Sequence, residues 1–295
     1  MIFIIIKAQL GNQLFSIFNG ISIAMDNNLK YCICYDENET TIYENKKTYF
    51  NNLLDKLKNN VKKFNKIEFE NIIKNNQLYK ESNFHYEKIL LDKYDINKDI
   101  YIEGYYQSYK YFNNNYNNII QLLNLKEKQN NIKARYNYMF NKKTIAIHFR
   151  IGDYIYLQNL HPIQNIKYYF NAINKINEIL NINNEYLCNY NILYFCQECD
   201  NTLVLKYINR LNIIYNNMLS FIKINDSISE WEQLLLMSCC DNFIIGNSTY
   251  SWFGAYLSNN SNKIVFYPEK WFGEGYINNN TLDLFPNSWI SITDK

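Results

Sequence analysis

The chain has 295 residues, of which 47% are hydrophobic and 20% are charged. This composition excludes an intrinsically disordered chain, which requires low hydrophobicity and high net charge. The 30 Lys and Arg against 28 Asp and Glu give a net charge of +2, so charge offers no case for a nucleic-acid partner. No apolar stretch reaches the roughly 18 to 20 residues of a membrane span. At about 150 residues per domain, the length predicts two domains.

The first apolar run, residues 2–6, is shorter than the apolar core of a signal peptide and predicts a buried strand. Seven cysteines without a secretory signal predict reduced thiols and a cytoplasmic location. Cys196 and Cys199 have the Cys-x-x-Cys spacing, but no second pair with zinc spacing accompanies them. We therefore interpret them as structural or incidental thiols.

The first half of the chain predicts a strand–loop–helix–strand opening, which is the usual start of a parallel α/β sheet. The predicted strands are 2–6, 31–35 and 101–106, and the predicted helices are 14–25 and 113–141. Residues 44–95 are rich in Asn and Lys and weakly patterned, and no element is predicted within them.

The second half alternates more clearly between strands and amphipathic segments. The predicted strands are 144–149, 191–196, 243–245 and 264–267, and the predicted helices are 163–179, which follows Pro162, 203–211, 229–240 and 252–257. This alternation predicts a doubly wound, Rossmann-like domain whose loops at the carboxyl ends of the strands form a binding crevice. A boundary near residue 141 divides the chain into domains 1–140 and 141–295.

Few glycines occur in the chain, and several of them directly follow predicted strands. Gly11, Gly152 and Gly246 lie in such loops, and Gly254 is one helix turn further on. Glycine permits positive φ angles and close approach of a ligand to the backbone. Strand-to-helix turns need glycine as well, so these positions alone leave a functional and a structural interpretation open.

The segment His148–Asp153 adds chemistry at the end of a predicted strand. Alternation along the strand places His148 and Arg150 on one side. Arginine presents a rigid fork of donors to phosphate oxygens, and its permanent charge can stabilise a departing diphosphate. Asp153 can hold either side chain in place or accept a proton. A purely structural Arg–Asp ion pair is the alternative interpretation.

A second polar loop, Asn247–Ser251, lies between a short predicted strand and a predicted helix. Hydroxyls and backbone N–H groups at the start of a helix form an anion site. An ordinary helix cap is the alternative, since Ser and Thr are favoured at that position. The loop holds three hydroxyl side chains, Ser248, Thr249 and Ser251, which is more than one cap requires.

Several common nucleotide motifs are missing from the sequence. It contains neither the Gly-x-x-x-x-Gly-Lys-Ser/Thr phosphate loop nor the Gly-x-Gly-x-x-Gly fingerprint of dinucleotide-binding folds. It also contains no Asp-x-Asp triplet that would bridge a diphosphate through a metal. We therefore predict a site without a metal, in which Arg150 and N–H groups neutralise the phosphates.

Taken together and in this order, the motifs resemble those of glycosyltransferase family 11, the α-1,2-fucosyltransferases. The resemblance spans nearly the whole chain. The matching segments are Ala8–Phe15, Gly104–Gln107, His148–Tyr154, Leu234–Cys239, Asn247–Trp252 and Pro268–Trp271.

This resemblance implies an α/β, GT-B-like enzyme with two Rossmann-like domains facing a cleft. Residues 1–140 would form the acceptor side and residues 141–295 the nucleotide-sugar-binding domain. The implied reaction is inverting and independent of metal or other cofactors. It moves L-fucose from GDP-fucose to a hydroxyl of a galactose-containing oligosaccharide in α-1,2 linkage.

The resemblance also assigns roles to the motif residues. Arg150 would contact the β-phosphate. Our candidate catalytic residues are Arg150, Asp153 and His148; the general base stays open, with Asp153 the best-placed acid in the motifs. Asn12 would lie near the diphosphate and the sugar. The implied substrate- and donor-binding residues are Gly11, Asn12, Gln13, Asn247, Ser248, Thr249 and Ser251.

Two positions depart from the family pattern. Ile151 replaces the second of two adjacent arginines, and Ala8-Gln9 replaces a Gly-Gly pair. Two alternatives therefore stay open: a transferase of another deoxysugar nucleotide, and a catalytically weakened protein that binds nucleotide-sugar or glycan.

Overall fold

The computed structural model of the protein describes residues 1–36 and 47–294. Residues 37–46, which include the start of the Asn- and Lys-rich stretch, lie outside the described residues. The chain divides into two compact units. The first consists of Met1–Glu127 with Asn279–Pro286, and the second of Lys128–Asn278 with Asn287–Lys295.

The first unit contains a five-stranded, wholly parallel sheet in the order β3-β2-β1-β5-β4. Its strands are β1 (Ile2–Ile5), β2 (Tyr31–Asp36), β3 (Val61–Phe64), β4 (Gln77–Lys80) and β5 (Ile100–Glu103), and its helices are α1 (Leu10–Asp26), α2 (Lys66–Asn75) and α3 (Tyr116–Leu122).

Three of these elements were not predicted from the sequence, because β3, α2 and β4 fall in the weakly patterned stretch 44–95. Both strands lie at the edges of the sheet, where side chains reach solvent and the sequence needs no apolar run. The single helix predicted over 113–141 was wrong, since the backbone adopts a left-handed turn at Asn124 (φ 51°) and separates α3 from α4 (Leu125–Arg135).

Helix α1 packs directly onto strand β1 and is buried along almost its whole length. A Cβ atom at Gly20 would lie 2.3 Å from the side chain of Ile4, so only glycine allows this close approach. The turn that leads into the helix places Ala8 at φ 58°, a left-handed conformation that L-residues with a Cβ atom adopt at a cost.

The second unit contains a six-stranded parallel sheet in the order β11-β10-β9-β6-β7-β8. Its strands are β6 (Lys143–His148), β7 (Tyr190–Phe195), β8 (Ser220–Lys223), β9 (Asn242–Ile244), β10 (Val265–Pro268) and β11 (Ile290–Ile292), and its further helices are α5 (Ile166–Ile182), α6 (Asn201–Ile214), α7 (Glu230–Ser238) and α8 (Thr249–Tyr256). This is the doubly wound strand order of Rossmann folds, which confirms the predicted fold class.

The predicted succession of two helices after residue 203 was incomplete, because β8 lies between α6 and α7. This edge strand is four residues long, and all four are half-buried, so it carries no distinct apolar signal.

Helix α4 packs within the second unit. The amide of Gln129 is buried and donates to Ser238 Oγ at 2.8 Å and to the Leu257 carbonyl at 2.9 Å, and it accepts from Asn259 at 2.7 Å. The boundary between the two compact units lies between Glu127 and Lys128, in the first turn of this helix, whereas the sequence prediction set the domain boundary after the helix, near residue 141.

A late segment of the chain returns to the first unit. Ser108 Oγ donates to the Asp283 carbonyl at 2.5 Å, and Lys110 forms an ion pair with the Asp283 carboxylate. The first unit therefore includes residues that are distant in sequence from the rest of it.

The second sheet reverses its strand order next to the β9–β6 pair, and the order in the first sheet is interrupted between β1 and β5, which are neighbours in the sheet but distant in sequence. Ligands of open α/β sheets bind at such switch points, outside the carboxyl ends of the strands. The predicted motif loops follow these four strands: 8–13 after β1, 104–107 after β5, 149–153 after β6 and 247–251 after β9.

Within the two described ranges, none of the helices combines the length and the apolar character that a membrane crossing requires.

We predict that Ala8→Gly stabilises the protein by about 1 kcal/mol, because glycine removes the left-handed strain at this turn. The measurement is the free energy of unfolding in urea. Ala24→Gly is the matched control in the regular part of α1, where glycine should cost about 1 kcal/mol. Equal losses in both variants would show that the turn at residue 8 carries no strain.

Candidate active site

The two predicted loops of the second unit lie side by side, because their strands β6 and β9 are hydrogen-bonded neighbours. A Cβ atom at Gly246 would lie 3.2 Å from the His148 carbonyl oxygen and 3.3 Å from Arg150 Cβ. The structure thus brings the His148–Asp153 segment and the Asn247–Ser251 loop together at the switch point of the sheet.

Several groups hold the side chain of Arg150. Its guanidinium forms an ion pair with Asp153 and donates to Gln197 Oε1 at 3.0 Å. It also lies over the ring of Tyr154, at 4.5 Å from the ring centre, which is a cation–π contact. The side chain is 20% exposed, so these contacts hold it in place and leave part of it accessible to a ligand.

Tyr154 links Arg150 to the rest of the site. Its ring stacks on His161 with the ring centres 4.8 Å apart, and its hydroxyl donates to the Asn247 carbonyl at 3.1 Å. Burial and the Arg150 charge lower the pKa of His161, which keeps that ring neutral beneath the tyrosine. Phe272 and Tyr276 enclose the other sides of His161.

The residues that alternate with Arg150 face the opposite side of the strand end. Phe149 and Ile151 are buried in the hydrophobic core of the unit, where Phe149 packs against Tyr169 of α5. Ile151 is only 2% exposed. The position at which the family pattern has its second arginine is therefore a core position in this protein.

His148 lies on the same side as Arg150 but deeper. It is 7% exposed, and its ring centre lies 5.6 Å from that of Tyr250. Burial, together with the neighbouring Arg150 charge, lowers the pKa of His148 to about 3. The imidazole is therefore neutral near pH 7, and its Nδ1 makes no hydrogen bond within the described part of the chain.

The loop after β9 is held by its asparagine. The side-chain amide of Asn247 donates to the carbonyls of Pro162 at 2.9 Å and Trp271 at 3.1 Å. Ser248 caps α8 by accepting from the Tyr250 N–H at 3.3 Å. The first N–H groups of a helix have no partner within it, so this first turn can receive an anion.

The three hydroxyl side chains of this loop differ in exposure. Thr249 is half-buried, whereas Ser251 is fully buried and donates to the carbonyls of Gly246 at 3.3 Å and Ser248 at 3.2 Å. The Ser251 hydroxyl thus shapes the loop internally. The predicted donor-binding roles of Ser248, Thr249 and Ser251 stay predictions.

In the first unit, the structure places the predicted residues Gly11, Asn12 and Gln13 in the first turn of α1. Asn12 Oδ1 accepts from Gln107 at 2.9 Å, which joins the loops after β1 and β5. Gln13 is fully buried and donates to the carbonyls of Ala8 at 2.8 Å and Lys47 at 2.9 Å. Their substrate-binding roles stay predictions.

Sequence reasoning assigned no role to Gln197, Asp200 or His161, which all contact the segment around Arg150 directly or through Tyr154. A signal existed for the first two, because they follow the predicted strand 191–196, and loops after neighbouring parallel strands meet at one sheet edge. In the parts of the chain that the structure describes, no three His, Cys, Asp or Glu side chains group as they would around a metal ion.

Comparison with known proteins gives the family. The O-antigen biosynthesis glycosyltransferase WbnK of Escherichia coli is 32% identical over 160 residues, which are 52% of this chain and 45% of WbnK. The alpha-1,2-colitosyltransferase of Escherichia coli is 28% identical over 153 residues, which are 50% of this chain and 47% of that enzyme. The matched part of the chain thus spans about half the length of these curated relatives.

Solved structures share the fold at low sequence identity. The fucosyltransferase NodZ from Bradyrhizobium has a TM-score of 0.50 and 11% identity, covering 90% of this chain and 94% of NodZ. The ADP-heptose LPS heptosyltransferase II of Escherichia coli has a TM-score of 0.50 and 9% identity, covering 99% of this chain and 90% of that one. These neighbours agree with the predicted GT-B-like, two-domain α/β fold. Because the family model for glycosyl transferase family 11 matches residues 37–293, which is most of the chain, this protein belongs to that family.

Proposed function

We propose that the protein transfers L-fucose from GDP-fucose to a hydroxyl of a galactose-containing glycan, in α-1,2 linkage, with inversion and without a metal ion. The observation that carries the proposal is the accessible guanidinium of Arg150, held at the switch point beside the first turn of α8. A fixed cation and a helix N-terminus together suit the two phosphates of a nucleotide-sugar.

In the proposed reaction, the acceptor oxygen attacks the anomeric carbon from the face opposite the diphosphate. The new C–O bond forms as the bond to the phosphate oxygen breaks, and GDP leaves with both bonding electrons. Negative charge therefore develops on the diphosphate, where Arg150 and the N–H groups of α8 stabilise it.

The proton of the acceptor hydroxyl must pass to a base. His148 is a poor candidate, because a pKa near 3 makes it a very weak base. Asp153 uses one carboxylate oxygen for the ion pair with Arg150, so we propose that it mainly positions the guanidinium and that its second oxygen is the candidate proton acceptor.

A transferase of another deoxysugar is the second candidate function. The alpha-1,2-colitosyltransferase among the relatives favours it, because colitose is fucose without the 3-hydroxyl. Loss of one sugar hydroxyl changes a few contacts to the sugar and leaves the diphosphate site as it is. The protein could therefore distinguish the two donors only through its contacts with the sugar.

A binding protein that has lost catalysis is the remaining alternative. It is suggested by Ile151, which replaces the second arginine of the family pattern. The burial of this side chain in the hydrophobic core argues against this alternative, because an apolar residue there removes no charge from beside Arg150. Hydrolysis of the donor in the absence of acceptor would distinguish an active transferase from a binding protein.

We further propose a cytoplasmic location for this activity. The support is that all seven cysteines are free thiols, as expected in a reducing compartment.

The test is a panel of nucleotide-sugars scored by thermal stabilisation. A donor at about 100 times its Kd should stabilise the folded state by about 2.7 kcal/mol. We expect GDP-fucose to stabilise most, GDP-colitose to compete with it, and UDP-sugars to have no effect. Stabilisation by UDP-sugars alone would contradict the proposed donor, and transfer to a β-galactoside followed by NMR of the product tests the linkage.

We predict that Arg150→Lys loses most of the transfer activity while the fold survives. Lysine retains the charge but lacks the planar fork, so about 2–4 kcal/mol of transition-state stabilisation is lost. The measurements are kcat/KM and the unfolding midpoint. Arg135→Lys is the control, since Arg135 is exposed and pairs with Glu232. Turnover near that of the wild type would remove Arg150 from the mechanism.

We predict that chelation leaves the reaction unchanged. The reason is that the proposed phosphate ligands are a guanidinium and N–H groups, which need no bridging cation. Transfer is measured after dialysis against EDTA, and then after addition of Mg²⁺ or Mn²⁺. Activity that disappears with EDTA and returns with either ion would show that a metal is required.

We predict that Ile151→Arg destabilises the protein by about 3–5 kcal/mol and does not improve donor binding, because it places an unpaired charge in the core. Ile155→Arg is the matched control in the same loop, at a side chain that is 48% exposed, and should be nearly neutral. The measurements are urea unfolding and calorimetry with GDP. A tenfold gain in GDP affinity would instead restore the binding-protein interpretation.

A further inference from the structure

The loop after β7 contacts the segment around Arg150. Strand β7 is hydrogen-bonded to β6 along its whole length, so the two strands end at the same sheet edge. Gln197, two residues after β7, accepts from Arg150 Nη1 at 3.0 Å. A guanidinium only donates, so this contact also fixes which way the Gln197 amide is turned.

Asp200, at the end of the same loop, supports the turn that follows Arg150. Its carboxylate oxygens accept from the backbone N–H of Gly152 at 2.9 and 3.1 Å, and the residue is only 5% exposed. Asp200 stands at the N-cap of α6, where Asp usually accepts from the helix's own N–H groups. It makes no such cap bond, and its carboxylate serves the neighbouring loop instead.

The turn at Gly152 leaves no room between these groups. Its φ angle is +36°, and a Cβ atom there would lie 1.9 Å from Gln197 Oε1. The guanidinium, the amide of Gln197 and the backbone of residue 152 therefore form one close-packed cluster. A group that stabilises charge in a transition state contributes most when it is held in place beforehand, and this cluster holds Arg150 in that way.

We propose that Gln197 and Asp200 are positioning residues that set the guanidinium of Arg150 for the diphosphate of a nucleoside diphosphate donor. Gln197 holds the guanidinium directly while adding no negative charge to it. Asp200 acts one step further away, by fixing the Gly152 turn through its N–H. This proposal rests on the proposed function of Arg150 as the diphosphate ligand.

The test uses GDP as the probe, with calorimetry for affinity and circular dichroism for the melting temperature. Gln197→Glu places a second carboxylate beside the guanidinium. We expect GDP affinity to fall at least tenfold while the melting temperature stays the same or rises, because the new ion pair stabilises the free protein and competes with phosphate. If Gln197 had a merely structural role, the GDP affinity would not fall while the melting temperature stays the same or rises.

Asp200 is tested by a pair of variants. Asp200→Ala should lower GDP affinity at least tenfold, whereas Asp200→Asn retains an oxygen for the Gly152 N–H and should stay within about threefold of the wild type. Glu198→Gln, an exposed side chain of the same loop, is the matched control and should bind GDP as the wild type does. If Asp200→Ala does not fold, the GDP affinities of Gln197→Glu and Asp200→Asn still test the positioning role.

The outcomes separate this proposal from the proposed function. If Arg150→Ala abolishes GDP binding while Gln197→Glu and Asp200→Ala bind as the wild type does, the positioning role is wrong and the role of Arg150 stands. If wild-type protein binds none of GDP, UDP and ADP, the proposed function itself is wrong, and the positioning role falls with it.

Discussion

A guanidinium can act on a diphosphate only if it is already aimed when the donor arrives, because an arginine side chain is otherwise flexible and loses free energy on being ordered. Much of the second unit serves this requirement. Parallel strands β6, β7 and β9 bring three loops to one sheet edge. Asp153, Tyr154 and Gln197 then hold Arg150 through three kinds of contact: an ion pair, a cation–π contact and a neutral hydrogen bond.

In the first unit, too, a carboxylate that follows one strand accepts hydrogen bonds from the backbone of the loop after the neighbouring strand. Glu81, which follows β4, accepts from the backbone N–H groups of Tyr105 at 2.8 Å and Tyr106 at 2.9 Å in the loop after β5. The side chain of Glu81 is half-buried, and this burial raises its pKa. Tyr106 has a left-handed φ of 51°, so this carboxylate holds a strained turn beside the Asn12–Gln107 contact. In both units, an acidic side chain after one strand thus fixes the loop after its neighbour.

The central strands and the motif loops could be predicted from the sequence, because burial on both faces gives β1, β6 and β7 continuous apolar runs. Edge strands such as β3 and β8 could not, since Lys62 and Lys63 or a half-buried Ser220 fit an edge as well as a loop. Arg150 and Asp153 could be paired from their spacing. Gln197 and Asp200 could be placed near the same sheet edge from the strand that they follow, but their individual contacts with Arg150 and Gly152 could not be predicted, because these depend on how the loops fold.

The return of residues 279–286 to the first unit bears on how the protein is made. Domains usually fold in order as the chain leaves the ribosome, each one once its own residues have emerged. Here the first unit lacks its partner for Ser108 and Lys110 until Asp283 has been synthesised, by which time most of the second unit is already outside. The contacts that Ser108 and Lys110 make with Asp283 can therefore form only after most of the second unit has been synthesised, which makes them the last contacts of the first unit to become available.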